Sequence, residues 1–450
     1  MHRDKLFNLL TSSAWKRDWA ITLFLKLGLG IFLPFFADEA YYWTWAKNLK
    51  LSFFDHPPFS AWLFWISQPL DSFFFASRLL FVVLSHVTLW IWCDFLAVEL
   101  SDRNKRAFFW ILLLHPLLGL GGLIANPDIP FLFFWSLSLV FYLRSLENPE
   151  SSRWPTLLGI SLGLGFVSKY LMGLISVVFV LHLLVSQSWK KIRPHHIWLP
   201  VILGFIFSLP VWIWNFQNDW SSLRFQIDHG LGQKVWKPQW TLDFLLGTLI
   251  LLFPPFVYSH FKRIGTSVRT LHGVLFLGLL LFFTYTTFRG DTELNWPLAL
   301  YPSFFLLVVP IVAWRWSYWI YSIFFAGLST LLLAFIFFNP APFPHPRLQE
   351  GAFYKSLFEE TKSYRPLYTS TYQAASYFWF LSKEPFYKLR FASRPDEFDK
   401  LSGSQPLEDS FFFLKEGYQT IPPSQLEIFS FEKAADLKFG FEVYKATRKK

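Results

Sequence analysis

Ionisable residues are scarce in this chain, and many of them sit at the ends of long apolar runs. The first group is Asp38-Glu39, followed by Tyr41, Tyr42 and Trp43 and then by Asp55-His56-Pro57-Pro58. Others are Asn126-Pro127-Asp128, Lys169 between two apolar stretches, and a segment 215–241 with Asn215, Asp219, Arg224, Asp228 and His229. The last is Arg289 with Asp291, Glu293, Asn295 and Trp296. A carboxylate at a lipid–water boundary can take the proton from an attacking hydroxyl or amine. A lysine or arginine opposite it can hold a phosphate and stabilise the charge that develops as the phosphate leaves. These residue types therefore suggest group transfer from a membrane-borne anionic donor. Each also has a plainer reading. Asp38-Glu39 and Asp128 could cap helices, Lys169 could snorkel to headgroups, and Arg289 with Glu293 could form an exposed ion pair worth little. What the plain readings leave unexplained is the side of the membrane on which the groups gather.

The elements that must carry them follow from composition. The chain has 450 residues, 53% hydrophobic, 21% aromatic and only 16% charged, with a mean hydropathy of +0.33. A soluble domain carries about 25% charged residues, so an ordinary soluble enzyme, a disordered chain and a small secreted scaffold are excluded. One cysteine, Cys93, excludes an intrachain disulfide. Apolar runs long enough to cross a bilayer fall near 19–37, 72–98, 107–124, 129–146, 197–214, 242–260, 271–288, 296–313 and 317–338. The stretch 156–187 is broken at Ser168-Lys169-Tyr170 and flanked by basic residues on both sides, so it reads as two short helices with Lys169 at their outer end. That makes eleven spans. Arg3, Lys5, Lys16, Arg17, Arg103, Lys105, Arg106, Arg144, Arg153, Lys190, Lys191, Arg193, Lys262, Arg263, Arg269 and Arg315 then all fall on the cytoplasmic side, as the positive-inside rule requires. The net charge of +10 is thus membrane anchoring, and nucleic acid is not a partner. The carboxylates and cations described first converge on the outer face, where ionisable groups are by default a functional hypothesis.

With the residues in place, a resemblance is evident. Phe36, Asp38, Glu39 and Trp43, then Asp55-His56-Pro57-Pro58, resemble the first outer loop of bacterial GT-C glycosyltransferases, relatives of the protein O-mannosyltransferases and the lipid A aminoarabinose transferase. The likeness continues, in order, through Asn126-Pro127-Asp128, Ser168-Lys169-Tyr170, Arg289 to Pro297, and Tyr372 to Ser376. It implies a GT-C fold and an inverting transferase using a polyprenyl-phosphate-linked sugar, undecaprenyl in a bacterium, at the non-cytoplasmic face of the inner membrane. By that likeness Asp38 is the general base, with Glu39 beside it, and Asp128 is a second acidic catalytic position. Lys169 and Arg289 are expected on the donor phosphate, from charge and topology more than from motif. Tyr42, Asp55, His56 and Glu293 are expected to contact substrate. Where the aminoarabinose transferases resemble Glu-Lys-Pro-Pro this chain has Asp55-His56-Pro57-Pro58, so their particular donor and lipid A acceptor are not implied. Asp55 and His56 are candidate ligands for a divalent cation, but two are too few to define a site.

Residues 340–450 hold 16 basic and 14 acidic residues against 25 and 17 in 1–339, so the tail reads as a water-soluble domain. A proline-rich exit over 339–346 leads to strands expected over Pro366–Phe380 and Ser410–Lys415 with helices between, a small extracytoplasmic α/β domain that caps the membrane part or recognises the acceptor. The acceptor is open between lipid A or core glycan, another surface glycan and protein. Two rival classes are a glycolipid flippase, which would place its charges near the midplane and show paired repeats, and a non-catalytic scaffold displaying the tail.

Overall fold

The computed structural model describes residues 13–73, 75–232, 235–261, 270–338 and 349–450. The expected anchors Arg3, Lys5, Lys262, Arg263 and Arg269 and the proline-rich exit at 339–346 lie outside the described residues. Each apolar run expected to cross the membrane holds a helix. Among the described residues, four are long and apolar enough on their own: Ala76–Leu96, Asp128–Glu147, His195–Gln217 and Trp316–Phe338. Two bent pairs, Ala14–Phe32 with Ala37–Trp45 and Asp102–Leu114 with Pro116–Leu123, raise that to six, and Tyr170–Ser186, Pro238–Leu252, Leu271–Thr286 and Leu300–Val312 are shorter. The chain is a multi-pass α-helical membrane protein with a small sheet domain at its end. Several of the eleven expected spans fall short of full length because prolines and polar residues break them, as Pro116 and Lys169 do.

The first break positions the site. Helix α1 (Ala14–Phe32) and helix α2 (Ala37–Trp45) meet at 87°, with Pro34 between them. A helix end leaves carbonyls without partners, and here a buried arginine collects them. Arg78 donates to Leu33 O at 2.5 Å, to Pro34 O at 3.1 Å and to Glu39 Oε2 at 2.6 Å. Glu39 in turn accepts from Phe36 N at 2.9 Å and Ala125 N at 2.7 Å. The bend is thus fixed by one enclosed ion pair and turns Asp38 away from the helix axis of α1.

Helix α3 (Asp128–Glu147) begins at Asp128 itself. Helix α4 (Arg153–Ser168) stops at Lys169, whose backbone is extended, and helix α5 (Gly173–Ser186) returns after one 3-10 turn, as the basic flanks require. Helix α6 (His195–Gln217) lies against α4 at a stripe of small residues. A Cβ at Gly159 would meet Leu203 Cβ at 2.8 Å, and one at Gly163 would meet Phe207 Cβ at 2.5 Å. Small residues four apart let two spans approach closely in lipid. Helix α7 (Ser221–Leu231) follows.

The chain ends in a sheet of order β2-β1-β3-β5-β4, formed by β1 (Leu367–Thr369), β2 (Tyr387–Lys388), β3 (Ser410–Glu416), β4 (Phe429–Asp436) and β5 (Phe441–Arg448). β1 pairs in parallel with β2 and β3, and β5 runs antiparallel between β3 and β4. The strand expected at Ser410–Lys415 is present as β3. The one expected over Pro366–Phe380 is strand only at Leu367–Thr369. The rest is helix α8 (Tyr372–Ser382), started by the Thr371 hydroxyl, which accepts from Ala374 N at 3.4 Å. A side-chain cap followed by Ala374-Ala375 outweighs the strand propensity of the surrounding aromatics. Helix α8 packs on α2. Phe380 stacks on Phe35 with ring centres 4.5 Å apart, and Tyr372 meets Tyr41 at 4.4 Å. The sheet domain therefore shares one hydrophobic core with the first outer loop.

Candidate active site

Asp38, Tyr42, Asp55, His56, Asp128, Lys169 and Glu293 line a single cavity of about 890 Å³. These residues come from four separate segments of the chain, and Phe225 and His229 of the segment 215–241 join them in the lining. Glu39 and Arg289 do not join them. Glu39, expected beside Asp38 in catalysis, is completely enclosed and has both oxygens engaged at the bend. Consecutive residues of a helix point about 100° apart, so Asp38 faces the cavity and Glu39 the protein. Arg289, expected on the donor phosphate, lies exposed on the turn after the helix Leu271–Thr286 and is not part of the lining.

The pairings in the cavity are specific. Asp128 Oδ1 accepts from Lys169 Nζ, and its Oδ2 accepts from Asn295 Nδ2 at 3.0 Å. Asp128 is held at the helix start by its own N–H, which donates to Asn126 Oδ1 at 3.0 Å. Tyr170 keeps α6 and α7 in place, because its hydroxyl meets Ser222 Oγ at 2.9 Å and accepts from Asn215 Nδ2 at 3.1 Å. Helix α7 lines the cavity with Phe225, Ile227 and His229, and Leu171, Leu174, Phe282 and Phe283 give it an apolar wall.

The sheet domain supplies part of the lining, which the sequence reading left unassigned. Tyr372 at the start of α8 donates to Asp38 Oδ1 at 3.1 Å. Arg394 Nη1 donates to Asp55 Oδ1 at 2.8 Å, and Tyr41 Oη donates to Asp55 Oδ2. Glu350 Oε2 accepts from Ala37 N at 2.7 Å, fixing the start of α2. Tyr372 was visible in the resemblance without a role. Arg394 carried no local signal at all, since it meets Asp55 only through a contact 339 residues long.

Electrostatics distinguish two titratable groups of the lining. Asp38 is open to the cavity but surrounded by protein, and this loss of hydration holds its carboxyl above the ordinary carboxylate range. The Tyr372 hydrogen bond and the Arg394 charge oppose the rise, while Asp55 and Glu293 add to it. His56 is pushed down to about 3, first by burial and then by the nearby Lys169 charge. It is therefore a neutral imidazole at physiological pH, and its Nδ1 is buried without a hydrogen-bond partner. Among the described residues no three His, Cys, Asp or Glu side chains cluster as metal ligands. Asp55, one of the two candidate cation ligands, already accepts from Tyr41 and Arg394.

Comparison with known proteins places these features. Residues 55–214 match the family described as dolichyl-phosphate-mannose-protein mannosyltransferase. The lipid A galacturonosyltransferase RgtD of Rhizobium johnstonii is 24% identical over 196 residues, 42% of this chain and 40% of that protein. The match thus spans less than half the length of that relative. The crystal structures of ArnT from Cupriavidus metallidurans, in the apo state and bound to undecaprenyl phosphate, superpose with a TM-score of 0.64. They are 13% and 12% identical to this chain, and each superposition covers 96% of this chain and 98% of the other. In fold the chain is similar to ArnT, and over residues 55–214 its sequence matches the dolichyl-phosphate-mannose-protein mannosyltransferase family.

Proposed function

We propose that this protein is an inverting glycosyltransferase of the bacterial inner membrane, moving a sugar from a polyprenyl-phosphate donor to a lipid, glycan or protein acceptor. The observation that carries the reading is one cavity in which a water-accessible carboxylate, Asp38, and the cation Lys169 are set beside an apolar wall. The relatives named for lipid A transfer and for bound undecaprenyl phosphate support it. In the reaction the acceptor oxygen or nitrogen attacks the anomeric carbon from the face opposite the phosphate. The carbon–oxygen bond to phosphate breaks, and its electron pair leaves with the polyprenyl phosphate. Asp38 takes the proton from the acceptor, and a carboxyl held above its usual range is better matched to that task. An ammonium has three donors. Asp128 engages one on Lys169, and the others serve the phosphate. Asn295 steadies Asp128. Tyr42 and Glu293 contact sugar hydroxyls, and the wall of Leu171, Leu174, Phe282 and Phe283 takes the start of the polyprenyl chain.

The cavity and the sheet domain belong on the periplasmic side, with the N-terminus cytoplasmic. Basic loops supporting this orientation meet one another away from the cavity: Trp314 Nε1 donates to Arg103 O at 3.1 Å, and Arg106 Nε to Asp18 Oδ2 at 2.6 Å. A cysteine replacing Tyr418, which is 83% exposed on the sheet domain, should react with an impermeant maleimide in intact spheroplasts. Reaction only after lysis would reverse the orientation. The activity is tested with purified protein and envelope lipids from a deletion strain. Mass spectrometry should show one sugar mass gained by an acceptor and an equal amount of undecaprenyl phosphate released. Gain of sugar without release of that phosphate would overturn the donor.

A further inference from the structure

The sheet domain sends one charged side chain into the cavity. Arg394 pairs with Asp55 through Nη1, yet its side chain remains 45% exposed while that of Asp55 is 5% exposed. A guanidinium offers five N–H donors in a planar fork suited to phosphate. Nη1 is taken by Asp55 and the neighbouring Pro395 carbonyl, and the guanidinium also hydrogen-bonds the Tyr372 side chain, which leaves part of the fork unused. The guanidinium also lies over the Tyr372 ring at 4.8 Å and the Phe225 ring at 5.5 Å. It is thus held between the domain and helix α7 and faces the cavity.

The loop that carries it is built for precision. Lys388, completely enclosed on β2, donates to Asp396 Oδ2 at 2.7 Å, to Asp399 Oδ2 at 2.9 Å and to the carbonyl of Arg394 itself at 3.1 Å. Next to it, Glu397 accepts from Phe54 N at 2.8 Å and pairs with Lys50, while its own N–H donates to Tyr41 Oη at 2.8 Å. A loop whose only task was to tie the domain down would not need its arginine left half open. The charges facing the cavity make the same point. Among the described residues Lys169 is the one lysine or arginine that the membrane part contributes to the lining, the charges of Lys169 and Arg394 both help keep His56 neutral, and Asp38, Asp55, Asp128, Glu293 and Glu350 are all acidic. An anionic donor needs more than one paired lysine there.

We infer that Arg394 is the second donor-phosphate ligand, delivered in from the sheet domain, so that the domain completes the site and is more than a cap. This rests on the donor reading above. When the phosphate enters, the guanidinium donors not used by Asp55, Pro395 and Tyr372 take its oxygens, while Nη1 keeps Asp55. Neither group gains or loses a covalent bond.

The test is binding to purified, detergent-solubilised full-length protein with two probes that differ only in the headgroup, undecaprenyl phosphate and undecaprenol. Wild type should prefer the phosphate. Arg394→Gln should weaken undecaprenyl phosphate about ten- to a hundredfold, the usual worth of a hydrogen bond to a charged group, and leave undecaprenol unchanged. Arg394→Lys should recover part of the loss. An Arg394→Gln protein that keeps the full preference for phosphate, or that loses both probes equally, overturns the assignment to phosphate. A wild type with no preference for phosphate would instead sink the donor reading itself. Asp55→Asn gives a further separation. If the arginine merely clamps the domain, this variant should mimic Arg394→Gln, whereas a phosphate ligand predicts a smaller loss.

Discussion

The bend at residues 33–39 and the cavity beside it are built from the same residue types, set in opposite ways. At the bend, Glu39 and Arg78 are completely enclosed, and both carboxylate oxygens accept hydrogen bonds. In the cavity, Asp38 accepts one bond from Tyr372 and is otherwise open. Lys169 has one partner for its three donors, and Arg394 is half exposed. A buried charge with its partners in place is expensive to disturb and does no chemistry, whereas a charge with unused valence beside open space can meet a ligand. On the proposed function, neighbours in sequence thus divide architecture from reaction, one holding the helix that the other works from.

The sharpest way to break that comparison is at Asp38. Asp38→Asn should lower turnover by ~10²–10⁴, the usual contribution of a positioned proton acceptor, without moving the unfolding temperature in detergent. Unimpaired turnover would remove Asp38 from the reaction. Glu39→Gln should act the other way. Removing one partner of an enclosed pair costs about 3–5 kcal/mol, so unfolding should shift strongly, and a variant as stable as wild type would end the architectural role. Smaller, and confined to the cavity, is Lys169→Ala, for which the donor KM should rise roughly tenfold or more with kcat less affected. A donor KM equal to wild type would count against the phosphate contact. The smallest effect is in pH dependence. Asp38 must be ionised to accept a proton, so activity falls as the pH drops through its raised pKa. Tyr372→Phe removes a hydrogen bond that favours the ionised form, and the acid limb of kcat/KM should move to higher pH. A limb that stays put, or moves down, would mean another group sets it.

Much of this was legible in the sequence, and for local reasons. Spans announce themselves by apolar length, loops by their basic residues, and the break at Lys169 by both at once. The cluster Asp38, Asp55, His56, Asp128, Lys169 and Glu293 followed from the expected topology, because every member falls in a loop or break that it places on one side. Two expectations failed where facing decides. Glu39 differs from Asp38 by one helical step, and no pattern in a nine-residue aromatic helix shows which carboxylate turns inward. Arg289 lies on an exposed turn outside the lining. The strand expected over Pro366–Phe380 held only at Leu367–Thr369, because beyond it the Thr371 cap and Ala374-Ala375 outweighed the strand propensity of the aromatics. Arg394 was out of reach because its place depends on the sheet domain packing against α2 through Phe35, Tyr41, Tyr372 and Phe380, a contact without sequence periodicity.

The most direct measurement is envelope-lipid and surface-glycan mass spectrometry of a deletion strain complemented with wild type or with Asp38→Asn at matched protein level. The account predicts that one glycoform lacks a single sugar mass in the deletion, regains it with wild type and still lacks it with Asp38→Asn. Full restoration by Asp38→Asn would contradict the account, and it would show that the protein matters by transport or scaffolding.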